Sequence, residues 1–209
     1  MAIITMPITL KTPPDCGLGR AYFNTANSSA ASGADQVRIQ APPSWTFHLT
    51  QPKYLTRPEA GVWLAMLGAL RGRINVLAAF DPSWPLPSGT LRGVPTLSAA
   101  AAAGATTVVL TGCPAGATLL VGDKIQVGTG VGTSDLCMVA ADATATAGGV
   151  MAVSLVDPLL WSYASGVAVT TEYPRAYMRK TSASHSWQHD HNGLTVVGLS
   201  ADFVETFSA

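Results

Sequence analysis

The chain has 209 residues, no net formal charge, and only 11% charged against 48% hydrophobic residues. Disordered chains are rich in charge and poor in apolar residues, so this composition excludes disorder and predicts a sizeable core. Interface cores are depleted in charge, so the deficit also predicts a surface that partner subunits partly cover. The alternative explanation is the compositional habit of a GC-rich genome. No run of Lys or Arg is present, so we expect no nucleic-acid-specific contact.

Neither membrane insertion nor secretion is indicated. No apolar stretch reaches the ~20 residues that span a bilayer, and the N-terminal sequence lacks the basic region of a secretory signal. We therefore expect synthesis in a cytoplasm. The cysteines Cys16, Cys113 and Cys137 are widely spaced and form no CxxC motif, which argues against a zinc site or a disulfide framework. Buried free thiols are favoured over a Cys113–Cys137 pairing within one small β-unit.

The N-terminal quarter begins irregularly and then becomes periodic. Residues 1–43 show no clear pattern, and the small polar run 27–33 predicts a flexible loop between short strands. Beyond it, Trp45, Phe47 and Leu49 alternate with polar residues. This period of two predicts a half-buried strand.

A helix is predicted over 57–71. Thr56-Arg57-Pro58-Glu59 has the form of a capping box with Pro in the first turn, and Gly72 stands at the C-terminal cap. Its apolar stripe consists of Val62, Trp63, Met66, Leu67 and Leu70. The next strand is predicted from the alternation of Ile74, Val76, Ala78 and Phe80.

The composition changes at the three prolines of 81–89, which predict a linker. Residues 91–160 are rich in Ala, Gly, Thr and Val, and Ala99–Ala103 is interpreted as an extended segment or a single turn. Short strands are predicted at 106–111, 119–121, 124–127, 136–140 and 149–156. Close spacing with glycine turns is typical of a small β-barrel or sandwich.

The C-terminal part regains the earlier character. Strands are predicted at 167–171 and 175–182, and His191-Asn192-Gly193 gives a hairpin signal before the closing run 194–207. The predicted fold class is mainly β: a β-sandwich or barrel-like core with one α-helix and an inserted small β-barrel domain. The core domain comprises 1–90 and 161–209, and the insertion comprises 91–160.

One histidine cluster raises the question of a metal. His185, His189 and His191 would share one face of a strand, and imidazoles at i and i+2 can hold a metal ion. Beside an Asn-Gly turn, an exposed hairpin tip is the favoured interpretation, so no metal and no cofactor are predicted.

Catalytic motifs are not found. The chain contains no GxSxG, HExxH or Walker-type pattern. The glycine-rich stretches 17–20 and 128–132 are interpreted as hairpin connections rather than phosphate-binding loops. The acidic residues are dispersed, and Asp81, Asp123 and Asp157 occupy turn-like positions. The sequence therefore predicts no catalytic residue and no enzyme.

Aromatic residues suggest a second kind of site. Trp45, Trp84, Trp161 and Tyr163 could stack on a sugar. Trp45 and Trp63, however, stand at strand or helix spacing among apolar residues and are predicted to lie in the core. Trp84 and the Trp161–Tyr163 stretch flank the insertion and are expected at its junction with the core domain.

The order of the segments over 45–209 resembles bacteriophage distal-tail and tail-hub proteins. The segments that carry the resemblance are Val62-Trp63-Leu64 through Leu70-Arg71-Gly72-Arg73, Phe80-Asp81-Pro82, Gly89-Thr90-Leu91-Arg92-Gly93, Gly116-Ala117-Thr118-Leu119, Leu120-Val121-Gly122-Asp123-Lys124-Ile125, Val153-Ser154-Leu155-Val156-Asp157-Pro158-Leu159-Leu160 and Leu199-Ser200-Ala201-Asp202-Phe203-Val204-Glu205. Each segment is short, and their order is what carries the likeness.

The resemblance implies a structural virion protein at the distal end of a phage tail. It implies a closed ring of identical copies, a hexamer in that family, which joins the tail tube to the tail hub and fibre proteins of the tip or baseplate, without catalytic residues. Two other functions stay open. One is a carbohydrate-binding β-module that contacts host glycans, and the other is a head–tail connector or tail terminator.

Overall fold

The computed structural model describes residues 1–8, 15–28, 35–50, 55–184, 188–189 and 195–208. This part of the chain is mainly β, with the single helix α1 (Arg57–Ala69) and several sheets that do not close into a barrel. The strands are β1 (Ile3–Thr5), β2 (Asp15–Ser28), β3 (Asp35–Thr50), β4 (Leu55–Thr56), β5 (Val76–Phe80), β6 (Thr96–Leu97), β7 (Thr107–Thr111), β8 (Thr118–Leu119), β9 (Lys124–Gly128), β10 (Ser134–Met138), β11 (Ala143–Thr144), β12 (Met151–Ser154), β13 (Val169–Thr170), β14 (Arg175–Lys180), β15 (Gln188–His189), β16 (Thr195–Val197) and β17 (Ser200–Glu205). No helix in the described ranges is long and apolar enough to cross a membrane.

The main sheet joins the two ends of the chain. Its strand order is β1-β5-β14-β17-β3-β2, antiparallel throughout except for the parallel pair β1–β5. Trp45, Phe47 and Leu49 share one face of β3 and are at most 2% exposed, as their alternation predicts. Phe203 lies opposite Phe47 in the ladder, and their rings are 5.9 Å apart. The apolar face of this sheet therefore forms one half of the main core.

Helix α1 covers that face. The predicted capping box is present: the amide and hydroxyl of Thr56 both donate to Oε2 of Glu59, at 3.1 and 3.0 Å. The helix ends at Ala69 with Leu70 as its C-cap, and Arg71, with a φ of +48°, is the first left-handed residue, followed by Gly72 at +71°. The predicted end at residue 71 with Gly72 as the cap is therefore wrong by two residues. Trp63, Met66, Leu67 and Leu70 are buried, which confirms most of the predicted stripe.

Two positions in this region differ from the prediction: Val62 of the helical stripe, and Ile74, which was expected within the next strand. Val62 is 42% exposed because it lies at the edge of the helical stripe, and Ile74 is 64% exposed because it precedes β5 in a turn. The strand β5 itself is buried at every position from Val76 to Phe80. It is a fully buried strand between β1 and β14, so the period of two in its sequence did not mark a solvent face.

A second group of buried apolar residues lies between Leu91 and Val169. We call residues 91–169 the second unit; the predicted domain boundaries at 91 and 160 stay a prediction. Its short strands form the sheets β10-β9-β13, β12-β7-β6 and β11-β8. The five strands predicted there are present with different bounds: β7 and β12 are shorter, β9 is one residue longer, and β8 and β10 begin and end earlier. Ala99–Ala103 is non-helical, with Ala101 in a single bridge to Tyr163. Cys113 and Cys137 are buried free thiols.

Strand β10 is shared by the two cores. Leu136 packs in the main core, whereas its neighbours Cys137 and Val139 pack in the second cluster. Side chains alternate across a strand, so one strand can supply both cores at once. The indole N–H of Trp45 donates to the carbonyl of Leu136 at 2.7 Å, which fixes β10 to β3.

The linker 81–90 is held against the second unit by buried acids. The carboxylate of Asp123, fully buried, accepts the amides of Ser88, Gly89 and Leu120 at 2.6, 3.1 and 2.8 Å. Gly89 is required here, since a Cβ at this position would lie 2.1 Å from the carbonyl oxygen of Thr118. Nearby, the ammonium of Lys124 donates to Asp81 at 2.9 Å in a buried ion pair.

The substitution Asp123→Asn is expected to lower the free energy of unfolding by about 2 kcal/mol. Its amide group presents one acceptor oxygen in place of two, so at least one buried amide loses its partner. Urea denaturation measures the loss. The matched control is Asp142→Asn, since exposed Asp142 accepts one amide, that of Val121 at 2.8 Å. Equal losses in the two variants would contradict the role given to Asp123.

Candidate functional site

The strands β2 and β3 form a long ribbon whose outer half leaves the body of the protein. They pair from Asp15↔Thr50 to Ser28↔Asp35, with register shifts near Phe23. The dipeptide Pro42-Pro43 lies in β3 at those shifts, which fits the tolerance of proline at bulges and free edges. We call residues 22–28 with 35–41 the outer ribbon.

The ribbon corrects the prediction for the N-terminal segment. Short strands joined by a flexible loop at 27–33 were expected, but β2 continues through Ser28 and β3 begins at Asp35; residues 29–34 lie outside the described part. The stretch 17–20, predicted as a hairpin connection, lies inside β2. Gly19 is needed there because a Cβ would lie 2.8 Å from Oγ1 of Thr46. The stretch 128–132 does connect β9 and β10, as predicted.

The outer ribbon exposes apolar side chains. Tyr22 and Phe23 are 56% and 43% exposed, and Val37 and Ile39 are 63% and 77% exposed. Every residue of 35–40 is exposed, so both faces of this strand are exposed to solvent in the single chain. Such a two-stranded ribbon is only marginally stable in water without a further covering layer. A covering layer supplied by another chain would bury these side chains.

The outer ribbon also has free edges. Within the described residues β2 pairs only with β3, and β17 reaches β3 only between Thr46 and Thr50. Unpaired backbone groups along a strand edge are ready to accept another strand. β2 carries neither proline nor lysine, two residues that commonly block such pairing.

A groove lies at the base of the ribbon. It has a volume of about 320 Å³ and runs between the ribbon and residues 157–160 of the second unit. Its apolar lining includes Phe23, Ile39, Pro43 and Leu160. The groove therefore extends the apolar surface of the ribbon onto the second unit.

Charged groups are buried beneath this groove, where the main sheet meets the second unit. Nε of Arg20 donates to Asp157 at 3.0 Å, and an Arg20 terminal nitrogen lies 3.8 Å from Glu205. The side chains of Arg20, Asp157 and Glu205 are 15%, 18% and 6% exposed, and Asp135 is 4% exposed. We call these four residues the carboxylate joint. The expectation that the acidic residues are dispersed is wrong for these three acids.

Glu205 and Asp135 of the joint also accept hydrogen bonds from backbone amides. Glu205 accepts the amide of Trp45 at 2.8 Å. Asp135 accepts the amide of Leu160 at 2.9 Å and the hydroxyl of Tyr163 at 3.1 Å. The guanidinium of Arg20 also lies 4.7 Å from the ring centroid of Trp45. These contacts tie β2, β3 and β17 to the second unit.

Burial perturbs the ionisation of these acids. It raises the pKa of Glu205 to about 7, although the Trp45 amide and Arg20 act in the opposite direction and Asp135 adds to the rise. Burial also raises the pKa of Asp135 above its usual range, opposed by its hydrogen bonds and by Arg20. The pKa values of Cys137 and Tyr163 are raised, mainly by burial and further by Asp135. Burying three carboxylates with one guanidinium disfavours full ionisation.

A different polar group lies on the outward face of the main sheet. His48 contacts Asp202 through Nδ1, and its Nε2 lies 2.5 Å from the hydroxyl of Thr50. An acid, a histidine and a hydroxyl in this order can activate a nucleophile in a water-excluded site. Here the side chains of His48 and Asp202 are 56% and 62% exposed and lie opposite each other in the ladder. Strand register accounts for this contact.

The three candidate histidines lie largely outside the described side chains. His185 and His191 lie outside the described residues, and of His189 only the backbone is described, in a strand that pairs with β16. Within the described ranges, no group of three or more His, Cys, Asp or Glu side chains is placed to hold a metal ion. The Asn192-Gly193 turn also lies outside them.

The aromatic candidates separate by exposure. Trp45 and Trp63 are buried core residues and Tyr163 is 7% exposed, so a sugar cannot reach their rings in this structure. Trp84 is 40% exposed and packs near Lys124, whose ammonium lies 4.9 Å from the ring centroid. Trp84 therefore contacts the second unit through Lys124, and its expected place at a junction with the core domain stays a prediction.

Comparison with known proteins adds no family assignment. No protein-family model matches the chain, and no curated protein matches its sequence.

Proposed function

We propose that this chain is a structural virion protein of a phage tail tip. Identical copies form a ring that joins the tail tube to the distal tip or baseplate and its fibres. The observation that carries this proposal is the outer ribbon, with its exposed Tyr22, Phe23, Val37 and Ile39 and its free strand edges. The order of segments that resembles distal-tail and tail-hub proteins supplies the place in the particle.

The ribbon favours contact between copies. Its two edges belong to different strands. A contact in which one edge of the ribbon meets a different surface of the next copy is heterologous. Heterologous contacts repeat from copy to copy and close into a ring when the rotation allows it. Apolar side chains on both faces would be buried by neighbours on both sides.

The charge of the ribbon suits such burial. In 22–28 and 35–41 the only charged residues are Asp35 and Arg38, which balance each other. Burying a nearly neutral surface costs little desolvation free energy, whereas burying unpaired charges is costly. The low charge of the whole chain agrees with a subunit that is covered on several sides.

Imaging the purified protein tests the proposal. Light scattering is expected to give a mass several times the 21.5 kDa of one chain, and negative-stain electron microscopy is expected to show closed rings, six-fold by the resemblance. A chain that stays monomeric up to high concentration, with no ring in images, would contradict ring formation.

Exposed Trp84 favours glycan contact as the second candidate function. A partly exposed indole can stack on a sugar, and the Trp84 side chain is 40% exposed. If glycan contact were the function, the monomer would bind host-surface glycans and Trp84→Ala would lose that binding. Under the ring proposal, we expect no change in ring formation with Trp84→Ala. A glycan array with both proteins separates the two.

A further inference from the structure

The carboxylate joint faces a shortage of positive charge. Asp135 comes from β10, Asp157 from the loop after β12, and Glu205 from β17, while Arg20 of β2 is the cation among them. Among the described residues, the other titratable groups that face the joint are the thiol of Cys137 and the hydroxyl of Tyr163. With all three carboxylates ionised, one guanidinium leaves two negative charges uncompensated in a buried contact. A bound proton relieves that repulsion.

The joint is also the connection between two parts of the molecule. Arg20 and Glu205 belong to the main sheet, whereas Asp135 and Asp157 belong to the second unit. Asp157 lines the groove at the base of the outer ribbon and binds Arg20 directly. A change in the charge of the joint therefore acts on the contact between the ribbon base and the second unit.

We propose that the carboxylate joint is a proton-dependent latch between the main sheet and the second unit. The latch is closed when the joint holds a proton and opens more readily when the proton leaves. This proposal concerns the single chain, and only its consequence for contacts between copies rests on the function proposed above.

The direction with pH follows from linkage. Glu205 has a pKa raised to about 7 in the closed joint, above its usual 4.5, so the closed state binds more protons than the open state between these values. Stability of the closed joint is then complete below pH 4.5 and is lost as pH rises to 7 and beyond. Between pH 6 and pH 8 the open population is expected to rise about tenfold.

Thiol labelling measures the opening. Cys137 lies at the joint, and Cys113 is an equally buried free thiol elsewhere in the second unit, each 6% exposed. Peptide mass spectrometry after brief alkylation gives the ratio of Cys137 to Cys113 labelling, in which the general effect of pH on thiol reactivity largely cancels. The ratio is expected to rise about tenfold from pH 6 to pH 8 in the natural chain. It should stay nearly constant in Glu205→Gln, whereas Asp142→Asn should follow the natural chain.

A second measurement needs no variant. The amide of Trp45 donates to Glu205, so its nitrogen chemical shift reports the titration of that carboxyl group. A midpoint near pH 7 is expected. A midpoint near 4.5, or a labelling ratio that rises equally in Glu205→Gln, would overturn the latch. Because both experiments use dissociated chains, a negative result would leave ring formation intact, and a failure to form rings would leave the latch intact.

Discussion

The double substitution Val37→Asp with Ile39→Asp is expected to abolish self-association while the chain stays folded. Both side chains are more than 60% exposed in the single chain, at 63% and 77%, so neither contributes much to its core. In a ring, burial of each would contribute about 1.5 kcal/mol or more. Their loss lowers the association constant at least about a hundredfold, and burying two carboxylates adds to the effect. Sedimentation velocity at several concentrations measures the change.

Two companion variants show whether the ribbon surface is responsible. Ile74→Asp introduces the same charge at another exposed isoleucine, 64% exposed and away from the ribbon, and should associate normally. Val37→Thr with Ile39→Thr keeps β-branched side chains that favour strands, yet it should still weaken association. If both ribbon variants associated normally, the ribbon would not form the contact between copies.

Replacing Trp45 by Ala is expected to lower the free energy of unfolding by about 4 kcal/mol. The side chain is 2% exposed in the main core, so its removal leaves a large cavity. Its indole N–H also donates to the carbonyl of Leu136 at 2.7 Å, and Arg20 stacks on its ring. The variant therefore loosens β10 and the carboxylate joint together. Urea denaturation followed by circular dichroism measures the loss.

Trp45→Phe separates the hydrogen bond from the volume. It keeps an aromatic ring but leaves the Leu136 carbonyl without its indole donor, so we expect a loss of about 2 kcal/mol. Trp84→Ala is the control, since Trp84 is 40% exposed, and should lose about 1 kcal/mol or less. A loss for Trp45→Ala no larger than for Trp84→Ala would contradict the role of Trp45 as the link between the cores.

The elements that could be predicted from sequence are those with one solvent-exposed face and one buried face. Trp45, Phe47 and Leu49 alternate because their strand has a single buried face, and the helix after Thr56 carries its own cap. The outer ribbon was missed because both of its faces are exposed, although Val37, Ile39 and Ala41 alternate with Gln36, Arg38 and Gln40. Its Pro42-Pro43 pair lies at the register shifts within the long strand, where proline is tolerated.

The carboxylate joint could not be predicted for a different reason. Arg20, Asp135, Asp157 and Glu205 are far apart in the sequence, and pairing of β2, β3 and β17 with docking of the second unit brings them together. Asp157 before Pro158 was interpreted as a turn residue, which explains its backbone but not its ion pair with Arg20. Local spacing carries no information about such long-range contacts.

The most direct test of the ring proposal is to look for this chain in phage particles by electron cryomicroscopy. We predict that the main sheet, α1 and the second unit fit a ring of copies at the distal end of the tail, with the outer ribbons, residues 22–28 and 35–41, at the contacts between copies. Density for the chain at the head–tail junction, or its absence from the particle, would contradict the proposed function.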